Sequence, residues 1–342
     1  MPSSPQRLPF VQWMEQALFD PAKGYYTARI RTVGRQGDFS TSATASSLLG
    51  EAIAHWMLEE KKTRPQVRHV IEVGGGDGSL SLAVRKSLGW WRRRSLRWHL
   101  VESSPILKLK QQDKLKGSSA TWHESMTEAL HACGGSALIF HNELVDAFPV
   151  SIRQWSATAQ TWQELWLEAS PAGWQETWQQ ATTPESDQFT AMQGWNATTP
   201  PPYDGQRVEL HGSYVAWLRE WAPHWREGAM LTVDYGDTFP ALYHRQPRGT
   251  IRAYLMHQRF TGPGVYANMG RQDITTDVNF SDLIAWGQAL HWIHEPLQTQ
   301  REFLQQHVPK FPERVAADPA AAFLTDDLGA GSAFKTLVQR PC

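Results

Sequence analysis

Val70-Ile71-Glu72-Val73-Gly74-Gly75-Gly76-Asp77-Gly78-Ser79-Leu80 is the stretch that decides the fold. A short apolar, β-branched run opens into four glycines within five positions, and an apolar helical pattern follows. Glycines at a strand-to-helix turn let the backbone bend tightly and let a ligand approach without Cβ contacts.

Two cofactor classes use such a turn. A dinucleotide fingerprint needs the third glycine of G-x-G-x-x-G, where this chain has Ser79. It also needs a free helix amino terminus to hold pyrophosphate. S-adenosylmethionine has no phosphate; its ammonium calls for carboxylates and its ribose for a hydroxyl-binding acid. Glu72 precedes the loop, Asp77 lies within it, and Glu102 ends the next strand-like segment. Glu102 suits the ribose of either class, whereas Glu72 and Asp77 favour a cationic ligand. Glu72, Gly74, Gly76, Asp77, Gly78 and Glu102 are therefore the candidate cofactor residues. A turn used only for packing would leave the acid after the second strand unexplained.

Outward from the loop, short apolar strands alternate with helical stretches. Strands are expected at 69–73, 97–102, 121–123 and 137–141, with a helix over 80–88. Another helix begins at Ser104-Pro105, where serine caps and proline takes the first turn. This alternation predicts an α/β fold with a parallel sheet covered on both faces. Residues 151–206 break the rhythm. They are rich in Trp, Gln, Thr and Pro, and 153–158, 164–168 and 174–178 read as an inserted antiparallel hairpin or meander. The alternation resumes with a helix over 213–225, a strand at 229–234, helices at 281–290 and 299–307, and a last strand at 333–338. Upstream lie a helical arm at 9–19, a glycine-tyrosine turn and a helix at 46–61.

The composition narrows the classes. With 41% hydrophobic and 20% charged residues, the 342-residue chain can form a sizeable core. A net charge of −1 exerts no global pull toward nucleic acid or anionic membrane, and Arg92, Arg93 and Arg94 read as a solvated helix end. Cys133 and Cys342, the two cysteines, have neither metal-ligand spacing nor a disulfide framework, so no metal is expected. The polar, proline-containing residues 1–10 carry no secretory or transit pattern, and no run is apolar enough for a membrane helix. The expected location is cytoplasmic. Many of the 17 tryptophans fall between Trp155 and Trp195, where packing is the default reading.

Further motifs carry a family resemblance. Pro21-Ala22-Lys23-Gly24-Tyr25-Tyr26, Gly37-Asp38-Phe39-Ser40-Thr41-Ser42 and the glycine loop are followed by His141-Asn142-Glu143-Leu144-Val145-Asp146-Ala147-Phe148-Pro149-Val150. Val233-Asp234-Tyr235-Gly236, Gly249-Thr250-Ile251-Arg252-Ala253-Tyr254 with His257, and Gly270-Arg271-Gln272-Asp273-Ile274-Thr275 come next. Asp277-Val278-Asn279-Phe280 and Thr299-Gln300-Arg301-Glu302-Phe303-Leu304 close the series. In this order the set resembles the MidA family of S-adenosylmethionine-dependent methyltransferases, which includes the mitochondrial complex I assembly protein arginine methyltransferase. The resemblance implies a doubly wound, Rossmann-like class I methyltransferase fold, S-adenosylmethionine as cofactor, and an arginine of a partner protein as acceptor. Two positions depart from it: Ala43-Thr44 stand where the family has Pro-Glu, and Asp77 where it often has Arg.

Methyl transfer to nitrogen asks the protein mainly to align donor and acceptor in a complementary field. A guanidinium arrives charged and planar, so carboxylates can grip it and accept its proton. Asn142, Glu143 and Asp146 follow the fourth strand, at the sheet edge where ligands sit in such folds. Glu143 and Asp146, three apart, would share the face of a helical turn and orient the acceptor, with Asn142 near the methionine moiety. The competing reading has Asn142 and Asp146 capping that turn. Asp38, Phe39 and Tyr26 are expected to fold over the cofactor, the acid toward its ammonium and the aromatics toward the sulfonium. Asp234 reads equally as a site or a turn residue, and His257 as structural. The expected organisation is an arm and lid at 1–66, a cofactor-binding half at 67–150, a β-rich substrate cap at 151–206, and the rest of the methyltransferase domain at 207–342. The rival readings are a non-catalytic assembly factor that keeps the fold and binds a partner, and a dinucleotide oxidoreductase.

Overall fold

The computed structural model describes residues 6–30, 46–181, 188–197, 202–326 and 329–342. The chain divides into two compact units. One comprises Ile30–Leu144, Leu218–Tyr235 and Gly287–Cys342; the other comprises Met1–Arg29, Val145–Trp217 and Gly236–Trp286. These boundaries differ from the expected ones, because the amino-terminal arm is shared out. Its strand Arg7–Pro9 pairs antiparallel with Thr161–Ser170, aligning Arg7 with Glu168. That pairing ties the first residues to the inserted meander.

The first unit is built on a twisted sheet of β1 (His69–Val73), β2 (Arg97–Val101), β3 (Ala120–His123), β4 (Ser136–Asn142), β5 (Glu227–Asp237), β6 (Trp292–His294) and β7 (Phe334–Pro341). Their order is β6-β7-β5-β4-β1-β2-β3. The five strands from β5 to β3 run parallel, β7 runs antiparallel to β5, and β6 pairs antiparallel with β7. This is the doubly wound methyltransferase sheet that was expected. The chain reverses its direction of travel across the sheet between β1 and β4, the position where ligands bind in open α/β sheets.

Helices α1 (Leu48–Thr63), α2 (Ser79–Ser87), α3 (Gly89–Arg94), α4 (Pro105–Lys114) and α5 (Met126–Ala132) belong to the same unit. The core on one sheet face joins Leu49, Ile53, Trp56 and Met57 of α1 and Leu80 and Val84 of α2 to Val70, Trp98, Leu100, Leu138 and Phe140 of the strands. The helix Gln300–His307 adds Phe303 and Leu304. Thr299 caps that helix in a reciprocal box with Glu302. The opposite face carries α5, and there the buried Trp225 donates from Nε1 to the Ala137 carbonyl of β4 at 3.1 Å. Exposed Trp90 and Trp91 lie on α3, where the Arg94 guanidinium rests 4.4 Å from the Trp90 ring.

The second unit holds the meander Ser151–Ser156, Thr161–Ser170 and Gly173–Gln180, paired antiparallel as expected of the insert that breaks the alternation. Arg207–Leu210 joins at Ser151–Ser156. The tryptophans here are packing residues. The Trp195 ring lies 5.6 Å from Trp162 and 5.1 Å from Phe239, and both tryptophans are buried. A smaller antiparallel sheet pairs Arg252–Leu255 with Gln258–Phe260 and Asp273–Thr275. His257 sits with Met256 in its tight turn at φ 62°, a structural place, as expected. Among the described residues no helix is long and apolar enough to cross a membrane.

Candidate active site

The glycine loop follows β1 at the reversal point. Gly74, Gly76 and Gly78 all take left-handed backbone, with φ of 62°, 54° and 84°. At Gly74 a Cβ would also lie 2.7 Å from Leu144 Cδ1, so the loop and the end of β4 are in close packing.

Glu72 sits beneath this loop. Its carboxyl would lie 2.8 Å from a Cβ at Gly75, and Ser81 Oγ donates to its Oε2. Trp98 Nε1 in turn donates to Ser81 at 2.9 Å. The other oxygen, Oε1, is buried with no hydrogen-bond partner among the described residues. Burial pushes the Glu72 carboxyl up to about 8, against the bond from Ser81, with the charges of Glu102 and Asp77 raising it further. An acid held that way accepts its charge most readily when a cation arrives, which fits a sulfonium and ammonium ligand.

Glu102 stands just past β2 and is also buried. Its Oε1 accepts from Ser104 N at 2.9 Å and its Oε2 from Gln111 Nε2 at 2.8 Å. Burial pushes it up to about 7, opposed by those bonds. Gln111 was not foreseen. From α4 its carboxamide also donates to the Gly76 carbonyl at 2.9 Å and accepts from Trp122 Nε1 at 3.0 Å. It holds the loop and Glu102 in one network. Ser104 caps α4 as its spacing with Pro105 predicts, accepting from Leu107 N.

Asp77 has a different place from the one expected. Its carboxylate pairs with Lys114 and accepts from Ser79 N at 3.0 Å. Burial raises it, but the Lys114 and Ser79 bonds outweigh that and hold it below the usual carboxylate range. Its carboxylate thus braces the start of α2.

Asn142 ends β4, and its Nδ2 donates to Glu143 Oε1 at 3.0 Å. Glu143 lies outside any helical turn. Its φ is 52°, a left-handed backbone that costs a non-glycine residue about 1–3 kcal/mol and clusters at functional sites. The 3-10 turn spans only Val145–Ala147, so the helical-face argument for Glu143 and Asp146 does not hold. Asp234 takes the Leu144 N–H at 3.2 Å and the Tyr235 N–H at 2.9 Å, which places it as a brace for the strand ends.

Asp146 and Tyr26 belong to the second unit. Tyr26 Oη donates to Asp273 Oδ1 at 2.6 Å, and its ring stacks on Phe19 at 5.6 Å. Burial first, then the charges of Asp273 and Asp146, hold the Tyr26 hydroxyl well above its ordinary range, so it stays a donor. Asp273 was quoted in a motif but not foreseen as Tyr26's partner. Asp38 and Phe39, with the motif around them and Ala43-Thr44, lie outside the described residues.

Comparison with known proteins decides the class. The model of the Methyltransf_28 family, described as "Putative S-adenosyl-L-methionine-dependent methyltransferase", matches residues 48–295. The chain belongs to that family. Its cofactor is the one the loop pointed to, and the MidA resemblance is the same relationship seen motif by motif. The Drosophila melanogaster protein arginine methyltransferase NDUFAF7 homolog, mitochondrial, is 27% identical over 305 residues, covering 80% of this chain and 65% of that protein. The Homo sapiens protein arginine methyltransferase NDUFAF7, mitochondrial, is 29% identical over 303 residues, covering 80% and 64%. The chain thus spans just under two thirds of the length of these relatives. Among solved structures, a COG1565 superfamily member from Burkholderia thailandensis bound to S-adenosyl-homocysteine has a TM-score of 0.83 at 22% identity, covering 98% of this chain and 88% of that one. That likeness establishes the methyltransferase fold. The expectation of a cytoplasmic location is overturned, because the curated relatives are named as mitochondrial proteins.

Proposed function

We propose that this methyltransferase-family chain transfers methyl groups from S-adenosylmethionine to an arginine side chain of a partner protein. The observation that carries the reading is Glu143. It directly follows the strand beside the glycine loop, at the reversal point of the sheet, in a strained left-handed backbone with its carboxylate hydrogen-bonded by Asn142. The names of the curated relatives support arginine as the acceptor.

When bound, S-adenosylmethionine supplies an electrophilic methyl group on a sulfonium. Glu102 would hold its ribose hydroxyls, with the glycine backbone at Gly74, Gly76 and Gly78 giving close approach. Glu72 supplies negative potential from beneath the loop. Asn142 faces the methionine end in this proposal. Glu143 orients the guanidinium through charge-assisted hydrogen bonds and takes the proton that the methylated nitrogen releases. Asp77 is left out of the ligand set, since Lys114 neutralises it. Asp38 and Phe39 keep their expected roles at the cofactor as part of the proposal. The insert 151–206 is the proposed surface for the partner.

The test is transfer of labelled methyl from S-adenosylmethionine into co-purifying protein, with mass spectrometry locating the label. Methylarginine supports the reading, and label on lysine or a carboxylate overturns arginine as acceptor. A chain that binds the cofactor but labels nothing is a non-catalytic assembly factor.

A further inference from the structure

On the sheet face opposite the main core, three histidines form a diagonal row across adjacent strands. His69 opens β1, His99 lies mid-β2 opposite Ile71, and His123 ends β3 opposite Val101. The parallel register advances each imidazole two residues along its strand, so all three project from one face. His69 Nδ1 lies 2.9 Å from His99 Nε2, and His99 Nδ1 lies 2.9 Å from His123 Nε2. The rings stack at 5.1 Å in both pairs. Cys133, the residue just after α5, brings its sulfur to the same place. The donor atoms of His69, His99 and Cys133 all lie within 4.8 Å of one another.

We propose that His69, His99 and Cys133 form a binding site for a zinc-like divalent cation. Two imidazoles and a thiolate are the borderline-soft donor set that zinc prefers. Tetrahedral bonds of about 2.0–2.3 Å place donors roughly 3.3–3.8 Å apart, so shifts of about an ångström or less bring the three atoms into range. His99 and Cys133 are buried and His69 is half-buried, which leaves the His69 side open to a water as fourth ligand. The remaining nitrogen of His99 already has its outer partner. His99 Nδ1 contacts His123 Nε2, and His123 Nδ1 faces Glu128 Oε1 at 3.4 Å. A second imidazole backed by a carboxylate is the kind of chain that fixes the tautomer of a metal-bound histidine. The site joins β1, β2 and the end of α5. His69 is at the opposite end of β1 from the glycine loop, so the cation acts as a staple in the sheet, separate from methyl transfer.

The experiment is titration of the purified full-length chain with cobalt(II), followed by zinc. One equivalent of cobalt should give a thiolate-to-cobalt charge-transfer band in the near ultraviolet, lost when zinc displaces it. Cys133→Ser should abolish the band. His69→Gln should weaken cobalt binding at least about tenfold, the loss typical even of an outer-shell partner. Cys342→Ser, at the exposed cysteine, should change nothing. Absence of the band in the wild type overturns the site, as does a band that survives Cys133→Ser or depends on Cys342. Should Cys133→Ser fail to fold, His69→Gln decides alone, and unchanged cobalt affinity in it overturns the proposal. No readout requires methyl transfer, so this result and that of the labelling experiment stand apart.

Discussion

The Gln111 carboxamide donates to Glu102 at 2.8 Å and, through the same nitrogen, to the Gly76 carbonyl at 2.9 Å. One buried side chain therefore sets the distance between Glu102, the proposed ribose acid, and the glycine loop. Gln111→Leu keeps the volume but leaves Glu102, Gly76 and Trp122 Nε1 short of a partner. A lost hydrogen bond to a charged group is worth about 1.5–3 kcal/mol. Affinity for S-adenosylmethionine should fall about ten- to a hundredfold, which calorimetry reads directly. Wild-type affinity in a folded Gln111→Leu would show that the network does not shape the site.

The buried acids predict a pH dependence. Glu72 and Glu102 are raised to about 8 and about 7 from an ordinary 4.5. Below about 4.5 both folded and unfolded chains hold these protons, and the contribution to stability is complete. Between there and about 8 the unfolded chain ionises first, so stability is lost as pH rises. The unfolding temperature of the ligand-free chain should fall across that window, and Glu72→Gln should flatten the slope. Affinity for the cationic cofactor should rise over the same range. Thermal unfolding from pH 5 to 8, in both chains, checks the sign.

At Glu143 the backbone conformation and the proposed role pull in opposite directions. Glycine tolerates a φ of 52° and glutamate does not, so Glu143→Gly should leave the unfolding temperature unchanged or raise it. Glu143→Gln should retain cofactor affinity while turnover falls on the order of a hundredfold, as for loss of a positioned proton acceptor. Single-turnover methylation separates the two effects. Full activity in Glu143→Gln would remove that residue from the mechanism.

Trp195 packs against Trp162, Phe239 and Tyr243 within the second unit. Trp195→Ala should destabilise the protein by about 3–5 kcal/mol, as buried tryptophan truncations do. Cofactor affinity at low temperature should stay near wild type, because the glycine loop and Glu102 lie in the other unit. Denaturant unfolding and calorimetry measure the two quantities. Loss of cofactor binding in a folded Trp195→Ala would assign the insert to the cofactor site.

The sheet was legible where local signals agree. The strand at 69–73 announces itself by β-branching and then glycine, and α4 by Ser104-Pro105. What escaped depends on distant partners. Arg7–Pro9 is too short for any periodicity and is a strand only because Thr161–Ser170 pairs with it. Gln111, inside a polar helix, reads as surface until α4 turns it toward Glu102. Asp77 looks like a ligand acid until Lys114, 37 residues on, is folded against it. The spacing of Glu143 and Asp146 suggested a helical face, but the chain turns left-handed at Glu143 first. His69, His99 and Cys133 have no metal-ligand spacing, since strand register alone assembles them.

The most direct test of the account is calorimetric titration of S-adenosylmethionine, with NAD in parallel, into the wild type, Gly76→Val and Glu102→Ala. Gly76 has a φ of 54°, where a β-branched residue is strained, and Glu102 carries the proposed ribose contacts. The account predicts one-to-one binding of S-adenosylmethionine by the wild type and none of NAD, with binding abolished in Gly76→Val and weakened about ten- to a hundredfold in Glu102→Ala. Binding of NAD by the wild type, or undiminished S-adenosylmethionine affinity in both folded variants, would contradict it.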